Sequence, residues 1–350
     1  MSATLDTIYY TRCAVPTPLG IAARLGWFTE EFAPEGIDVK VVVESENTAA
    51  REAHYDHSVD NLFRLGGSIP ALWAKGKGRA TRLLALSWVD EFQAIVTLPE
   101  KQILNARDLR GRRVGLPKHS SSFIDHERAS ALRGISNALA TEGLALGDVQ
   151  LVDFEAPRNS IAQQGDEVVS GSKFQGPRRK PGHRPLQALI RGEIDALYLK
   201  GPRGLQLVHQ LGLHVSVDIG SHPDPLVRAN NCTPRTFTVD EQLLQSRPDI
   251  VGRVVSRVID AGVWARSHAV EAVRFIGIET GTAEAWVRYG HGPEVHLSLG
   301  IDLSERSTRA LNDLKSFLVQ HQFIGDFDLS SWIAPGPLRE ASERSARKVA

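Results

Sequence analysis

The sequence predicts an α/β fold with mostly parallel sheets. Three observations carry that expectation: short apolar runs recur from the start of the chain, helix-like stretches separate them, and prolines or glycines mark the turns between. Strands alternating with helices are the pattern of βαβ units, in which crossover helices cover a parallel sheet. Thr7-Ile8-Tyr9-Tyr10 reads as the first strand and Pro18 to Phe32 as an amphipathic helix. Gly36 to Val43 reads as a second strand, apolar enough to be buried. Ile69 to Ala74 is expected to be helical, and Arg82 to Leu86 and Phe92 to Leu98 to be strands.

The middle continues in the same way. Ser130 to Glu142 reads as a helix closed by Gly143, since glycine takes the left-handed conformation that ends helices. Val149 to Phe154 and Ile194 to Leu199 read as strands, with a short helix over Leu186 to Arg191. Ser172 to Pro185 holds five Lys/Arg, no acid, three prolines and two glycines. That composition predicts an exposed loop, a solvated surface or a lid that steers an anion. The last third is more helical, over Ile250 to Ser267, Val270 to Ile278 and Ser304 to Gln320. No internal repeat or low-complexity tract is evident.

A chain of 350 residues is long enough for two domains. Lys+Arg and Asp+Glu balance at 41 each, so no global field points to nucleic acid or to a membrane surface. No apolar stretch is long enough to span a bilayer. The opening Met1-Ser2-Ala3-Thr4-Leu5-Asp6 has neither a basic nor an apolar leader-like segment, and two distant cysteines make no disulfide framework. A cytoplasmic protein with reduced thiols is the expectation.

Chemistry concentrates in two early clusters. Cys13 stands before Pro16 and Pro18, which suit a first helical turn. A thiol just ahead of a helix N-terminus meets a field that favours the thiolate. The competing reading is an inert buried cysteine, the usual fate of the residue type. Arg64-Leu65-Gly66-Gly67-Ser68-Ile69-Pro70 is the stronger piece. Pro70 marks a helix start, so the amides of Gly66, Gly67 and Ser68 should point outward as an anion site, with Arg64 adding a planar pair of donors. The plainer alternative is a tight turn with Arg64 in water.

His54 and His57 precede that cluster at a spacing that suits one helical face, and so also a metal. No HExxH or cysteine-rich partner accompanies them, and no metal is expected. Either one suits a proton carrier beside a thiolate, and a surface histidine is the competing reading for at least one. Ser120 and Ser121, in Lys118-His119-Ser120-Ser121-Ser122, follow a strand and precede a helical run, where hydroxyls and amides either hold a ligand or merely cap the helix. Tyr9, Tyr10, Phe63, Trp73, Trp88, Phe92 and Phe123 are candidates for an apolar pocket, with core packing the commoner role. Cys232 is read as structural.

The early strand-helix-strand, Ala106-Arg107-Asp108-Leu109-Arg110-Gly111-Arg112-Arg113-Val114-Gly115 and Gly192-Glu193-Ile194-Asp195-Ala196-Leu197 together resemble the two-lobed type II periplasmic-binding-protein fold, in the branch of nitrate, sulfonate and taurine binding proteins. The resemblance implies a lobe built from residues 1–97 plus 226–350, a second lobe over 98–225, and a ligand in the cleft at the carboxyl ends of strands.

A narrower resemblance covers nearly the whole chain. Tyr10-Thr11-Arg12-Cys13-Ala14-Val15-Pro16, Arg64 to Pro70, Thr81-Arg82-Leu83-Leu84, Asp195 to Tyr198, Asp260 to Arg266 and Trp332-Ile333-Ala334-Pro335 are similar to the 2′-hydroxybiphenyl-2-sulfinate desulfinases of dibenzothiophene desulfurisation. Those enzymes share the binding-protein fold and use a cysteine, a histidine, an arginine and a glycine amide. Carried over, the resemblance implies Cys13 as nucleophile, His54 or its rival His57 as the histidine, Arg64 as sulfinate clamp and Gly67 as backbone donor beside Gly66. It implies hydrolysis of an aryl sulfinate to the arene and sulfite by a monomer, with a small aromatic sulfinate or sulfonate as the bound anion and no metal or organic cofactor. Cys13 either attacks sulfur or first protonates the ring carbon. The rivals are a solute-binding protein for a sulfonate or other small anion of a transporter, and an enzyme of the thiamine-pyrimidine group, whose expected cysteine-rich run is absent here.

Overall fold

The computed structural model describes residues 5–42, 48–119, 124–155 and 184–349, and in them two five-stranded sheets. The first contains β1 (Thr7–Tyr10), β2 (Asp38–Val41), β3 (Leu62–Gly66), β4 (Thr81–Ser87) and β10 (Arg235–Asp240), in the order β2-β1-β3-β10-β4. The second contains β5 (Gln93–Thr97), β6 (Arg113–Lys118), β7 (Gln150–Glu155), β8 (Ala196–Lys200) and β9 (His214–Asp218), in the order β7-β6-β8-β5-β9. β1 pairs parallel with β2 and β3, and β6 pairs parallel with β7 and β8. One strand in each sheet runs against its neighbours: β10 between β3 and β4, β5 between β8 and β9. The expected mostly parallel sheets are therefore present. The reversed strands are β5, the first of its sheet in chain order, and β10, the last of the other.

The sheets belong to two compact units. One takes the described residues up to Val89, Asn231–Arg288 and those from Gly292 onward; the other takes Asp90–Asn230 and Tyr289–His291. These divisions fall near, but not at, the expected 97/98 and 225/226. Two interactions move them. β5 already pairs with β8 and β9. Asn230 is held in the second unit, its Nδ2 donating to Gln93 Oε1 at 3.2 Å and to the Ser130 carbonyl at 3.0 Å.

In the first unit, Ile8, Phe63, Leu65, Phe237 and Val239 bring the sheet's apolar face against Val251, Val255 and Val258 of the helix Pro248–Ser267. The long amphipathic run predicted over Pro18 to Phe32 is two helices, α1 (Pro18–Arg24) and α2 (Trp27–Phe32). Gly26 breaks it at φ 78°, a conformation glycine adopts at little cost. β2 is a sheet edge with Asp38 and Lys40 exposed, so the expected burial of that strand applies only to its inward side chains. Val42, Ala53 and Leu62 form a separate small cluster that seats α3 (Thr48–Asp56) by β3. α4 (Ser68–Gly76) follows β3 directly.

In the second unit, Ala94, Val96, Leu186, Leu189, Ile194 and Leu197 form the core. The predicted helix over Ser130 to Glu142 is α5 (His126–Ala140), and Gly143 beyond it takes φ 70°. Most of the basic segment lies outside the described residues; its last two, Arg184 and Pro185, open the helix Arg184–Ile190. Among the described residues, no helix is long and apolar enough to cross a membrane.

Candidate active site

The site is assembled in the first unit, where β1 and β3 end side by side. Thr11 N–H donates to the Phe63 carbonyl at 3.0 Å, which keeps the chain along β3 for one residue beyond β1. The backbone then turns, Val15 N–H donating to the Cys13 carbonyl at 2.7 Å. Arg12 fixes this loop by donating Nε and Nη2 to the two oxygens of Glu279, at 3.2 and 2.6 Å, and Arg24 Nε joins the same carboxylate at 2.5 Å. α1 begins only at Pro18, capped by Thr17 Oγ1, which accepts from Gly20 N–H at 3.0 Å. Cys13 thus stands outside the first turn of that helix, where the expected helix-end field has fallen off.

Close approach explains the glycine at position 66. A Cβ there would lie 2.1 Å from Cys13 Sγ and 3.0 Å from Cys13 Cβ. The thiol occupies the space a side chain would take. The same point is 3.7 Å from Arg64 Nη2, so thiol and guanidinium converge on it.

Arg64 lies mid-strand on β3 opposite Thr238 and is only 1% exposed. Its Nε donates to the His54 carbonyl at 3.0 Å, satisfying a carbonyl in the last turn of α3, where a cation is favoured. Its Nη1 is buried without a hydrogen-bond partner. Burial, first, lowers its pKa; Cys13, Cys232 and Tyr55 oppose that, and none of them is a carboxylate. Burying a cation without an acid is costly, and an anionic ligand offsets the cost.

His54 places Nε2 at 3.7 Å from Cys13 Sγ. Burial, and then the neighbouring Arg64 charge, hold its pKa down at about 3, with Glu52 opposing. The ring is therefore neutral at pH 7. Tyr55 packs edge-on against it, with centroids 5.1 Å apart.

His57 goes elsewhere. It lies just beyond α3 at φ 56°, so the two histidines do not share a helical face. Its Nε2 is 2.9 Å from Thr238 Oγ1, and that hydroxyl donates to the Arg64 carbonyl at 3.4 Å. A hydroxyl has one proton to give, so His57 Nε2 is the donor of its own bond. Its pKa too is held at about 3, by burial and then by Arg64. No group of three His, Cys, Asp or Glu among the described residues could hold a metal ion.

The amides at the start of α4 are fewer than the sequence implied. Asn231 takes two of them, its carbonyl accepting from Ser68 N–H at 2.6 Å and its Oδ1 from Ile69 N–H at 2.9 Å. Gly67 is the N-cap, and a Cβ there would meet Asn231 Nδ2 and Oδ1 at 2.8 Å. Asn231 is 162 residues from Ile69 in sequence, and no spacing rule points to it.

The fold therefore brings Cys13, His54, Arg64 and Gly66 together, with Gly67 next along the chain, and engages His57 with the Thr238 hydroxyl instead of the thiol. Ser120, Ser121 and Phe123 lie outside the described residues. Near them, His119 Nδ1 pairs with Asp125 at 3.0 Å and Lys118 with Glu155 at 3.1 Å. Four of the seven candidate pocket aromatics are packing residues: Phe63 and Tyr10 belong to the first unit's main core, Tyr9 packs on the small cluster by α3, and Phe92 packs on the second unit's core. Cys232, read from sequence as merely structural, is buried and acts on the Arg64 charge.

The chain as a whole is similar to known proteins. A family model described as NMT1/THI5 like matches residues 15–168. The 2′-hydroxybiphenyl-2-sulfinate desulfinase of Rhodococcus erythropolis is 26% identical over 366 aligned positions, spanning 98% of this chain and 95% of that protein. A crystal structure of the desulfurization enzyme DSZB, as a cysteine-to-serine mutant in complex with biphenyl-2-sulfinic acid, superposes with a TM-score of 0.74 at 25% identity, over 97% of this chain and all of that one. The periplasmic aliphatic sulphonate binding protein SsuA of Escherichia coli gives a TM-score of 0.65 at 14% identity, over 94% and 98% of the two chains. The last likeness is one of fold. The predicted two-lobed binding-protein class and the resemblance to the desulfinases are both borne out.

Proposed function

We propose that this protein is an aryl sulfinate desulfinase, hydrolysing 2′-hydroxybiphenyl-2-sulfinate or a close analogue to the arene and sulfite. The observation that carries the reading is a thiol in the Gly66 space, converging with an acid-free buried guanidinium and in contact with a neutral imidazole. A sulfonate carrier needs the guanidinium and the amides but has no use for the thiol–imidazole contact.

The sulfinate oxygens sit on Arg64 Nη1 and Nη2, which neutralise the anion and orient its sulfur toward Cys13. His54, being neutral, accepts the Cys13 proton as sulfur attacks sulfur. The carbon–sulfur bond breaks with its electron pair on the ring carbon, which takes the proton from His54, and the arene leaves. Water then adds to the Cys13–SO2 adduct, releasing bisulfite and restoring the thiol. Arg64 keeps its charge throughout and holds the oxygens in both halves.

The test is to incubate the protein with 2′-hydroxybiphenyl-2-sulfinate and measure sulfite and 2-hydroxybiphenyl, with Cys13→Ser alongside. Equal release of both products, lost in Cys13→Ser, is expected. Binding of the sulfinate by the wild-type protein without turnover would sink the enzymatic reading and favour a carrier.

A further inference from the structure

The site contains a hydroxyl that the mechanism above does not use. Thr236 on β10 is fully buried, and its Oγ1 has no hydrogen-bond partner. A buried hydroxyl without a partner costs stability, and such groups in a folded protein call for an explanation. β3 and β10 pair in regular antiparallel register, with Thr236 opposite Gly66 and Thr238 opposite Arg64. Directly opposed residues project from the same face of a sheet, with Cβ positions about 4.5–5.5 Å apart. Thr236 therefore stands on the same face as Arg64, beside the point at Gly66 on which Cys13 Sγ and Arg64 Nη2 converge. Its neighbour two residues on, Thr238, has its hydroxyl engaged by His57 and the Arg64 carbonyl. Only one of the two threonines on this face is thus committed to the scaffold.

We infer that Thr236 is a substrate-binding residue, its hydroxyl donating to a sulfinate oxygen held between Arg64 and Cys13. The inference rests on the desulfinase reading and deepens it. Arg64 supplies charge from one side of the Gly66 space, and Thr236 supplies a neutral, directional donor from across the strand pair. A tetrahedral sulfur carrying two oxygens is then gripped at two positions, which fixes its rotation and the direction of its lone pair as well as its place.

The test compares Thr236→Val, which has the same shape without the hydroxyl, with Thr236→Ser, which keeps it. Both are made in the Cys13→Ser protein, so that biphenyl-2-sulfinate can be titrated calorimetrically without turnover. Thr236→Val should weaken binding about 10-fold or more, as expected for a lost hydrogen bond to a charged group, with the melting temperature of the free protein unchanged or raised. Thr236→Ser should bind within about threefold of the parent, since the donor that the bond needs is retained. Unchanged affinity in Thr236→Val, or equal losses in both variants, would overturn the inference alone. Failure of the parent Cys13→Ser protein to bind biphenyl-2-sulfinate would overturn it together with the desulfinase reading.

Discussion

Two buried polar clusters, one in each unit, are built on opposite principles. In the second unit Gln93, Ser130, Tyr198 and Asn230 close on themselves: Tyr198 Oη donates to Gln93 Oε1 at 2.8 Å, Ser130 Oγ to Asn230 Oδ1 at 3.0 Å, and Gln93 Nε2 to the Arg228 carbonyl at 2.9 Å. In the first unit, Arg64 Nη1, His54 Nδ1 and Thr236 Oγ1 are buried without partners. The charges differ in the same way. Arg113 in the second unit donates to both oxygens of Asp195, at 3.1 and 2.9 Å, whereas among the described residues no carboxylate pairs with Arg64. A satisfied cluster holds a fold in one arrangement, and an unsatisfied one is bound energy waiting for a ligand. The contrast sets the scaffold around Asn230 apart from the cluster at Cys13 without reference to any relative.

The contrast is broken most severely at Gly66. Gly66→Ala puts a methyl 2.1 Å from the thiol, so sulfite release should fall by about 1,000-fold or more, an effect on the scale of losing the nucleophile. A kinetic assay that finds this variant within about tenfold of wild type would mean the thiol position is not decisive.

Arg64→Met should weaken biphenyl-2-sulfinate binding by about 100-fold or more, since two charge-assisted bonds are lost. It should leave the melting temperature level or raised, because an unpaired buried cation has been replaced by an apolar chain. Arg113→Met should do the reverse, lowering the melting temperature and leaving kcat alone, because it strips Asp195 of its main partner. Calorimetric melting and steady-state rates of the two variants decide the matter. Similar behaviour in both would dissolve the distinction.

Asn230→Ala removes a hub of the closed cluster and leaves Gln93 and Tyr198 short of partners, a loss of about 2–3 kcal/mol in urea unfolding. Turnover per folded molecule should be unaffected.

The two units differ as well in acid sensitivity. His54 and His57 have folded-state pKa values of about 3 against 6.5 when free. Both are depressed, so the unfolded chain binds more protons between those values and stability falls as pH drops from 6.5 toward 3. Asp195 is held below the usual carboxylate range, foremost by its bonds from Arg113. Its contribution is therefore present above the unfolded value of about 4 and lost only below it. Amide exchange in β3 should accelerate on moving from pH 7 to 5, after correction for intrinsic rates, while β6 holds until lower pH. His57→Gln should flatten the dependence in β3. A uniform response across both strands would contradict it.

Much of the fold was legible in the sequence because local chemistry imposes it. Apolar runs of strand length, Pro70 in the first turn of α4 and Gly143 after α5 place their elements without help from distant residues. The helix predicted over Pro18 to Phe32 failed at Gly26, where a left-handed residue outweighs amphipathic periodicity. At the site, the residue types at Cys13, Arg64 and the glycine pair were readable as chemistry, and the resemblance to the desulfinases gave them roles.

What the sequence determined by itself was which side chains were on hand and which strand or loop carries each. Only the tertiary structure shows that His54 faces the Cys13 thiol while His57, just beyond α3 at φ 56°, bonds Thr238. It alone showed that Gly66 is glycine because Cys13 fills its side-chain space, and that Asn231 closes amides the motif seemed to offer. Thr236 carries no motif at all; it reaches the site through the register of β10 on β3. The physical reason is the same each time. Backbone propensity and apolar periodicity act over a few residues and are written in order along the chain, whereas contact across a sheet depends on which strands become neighbours.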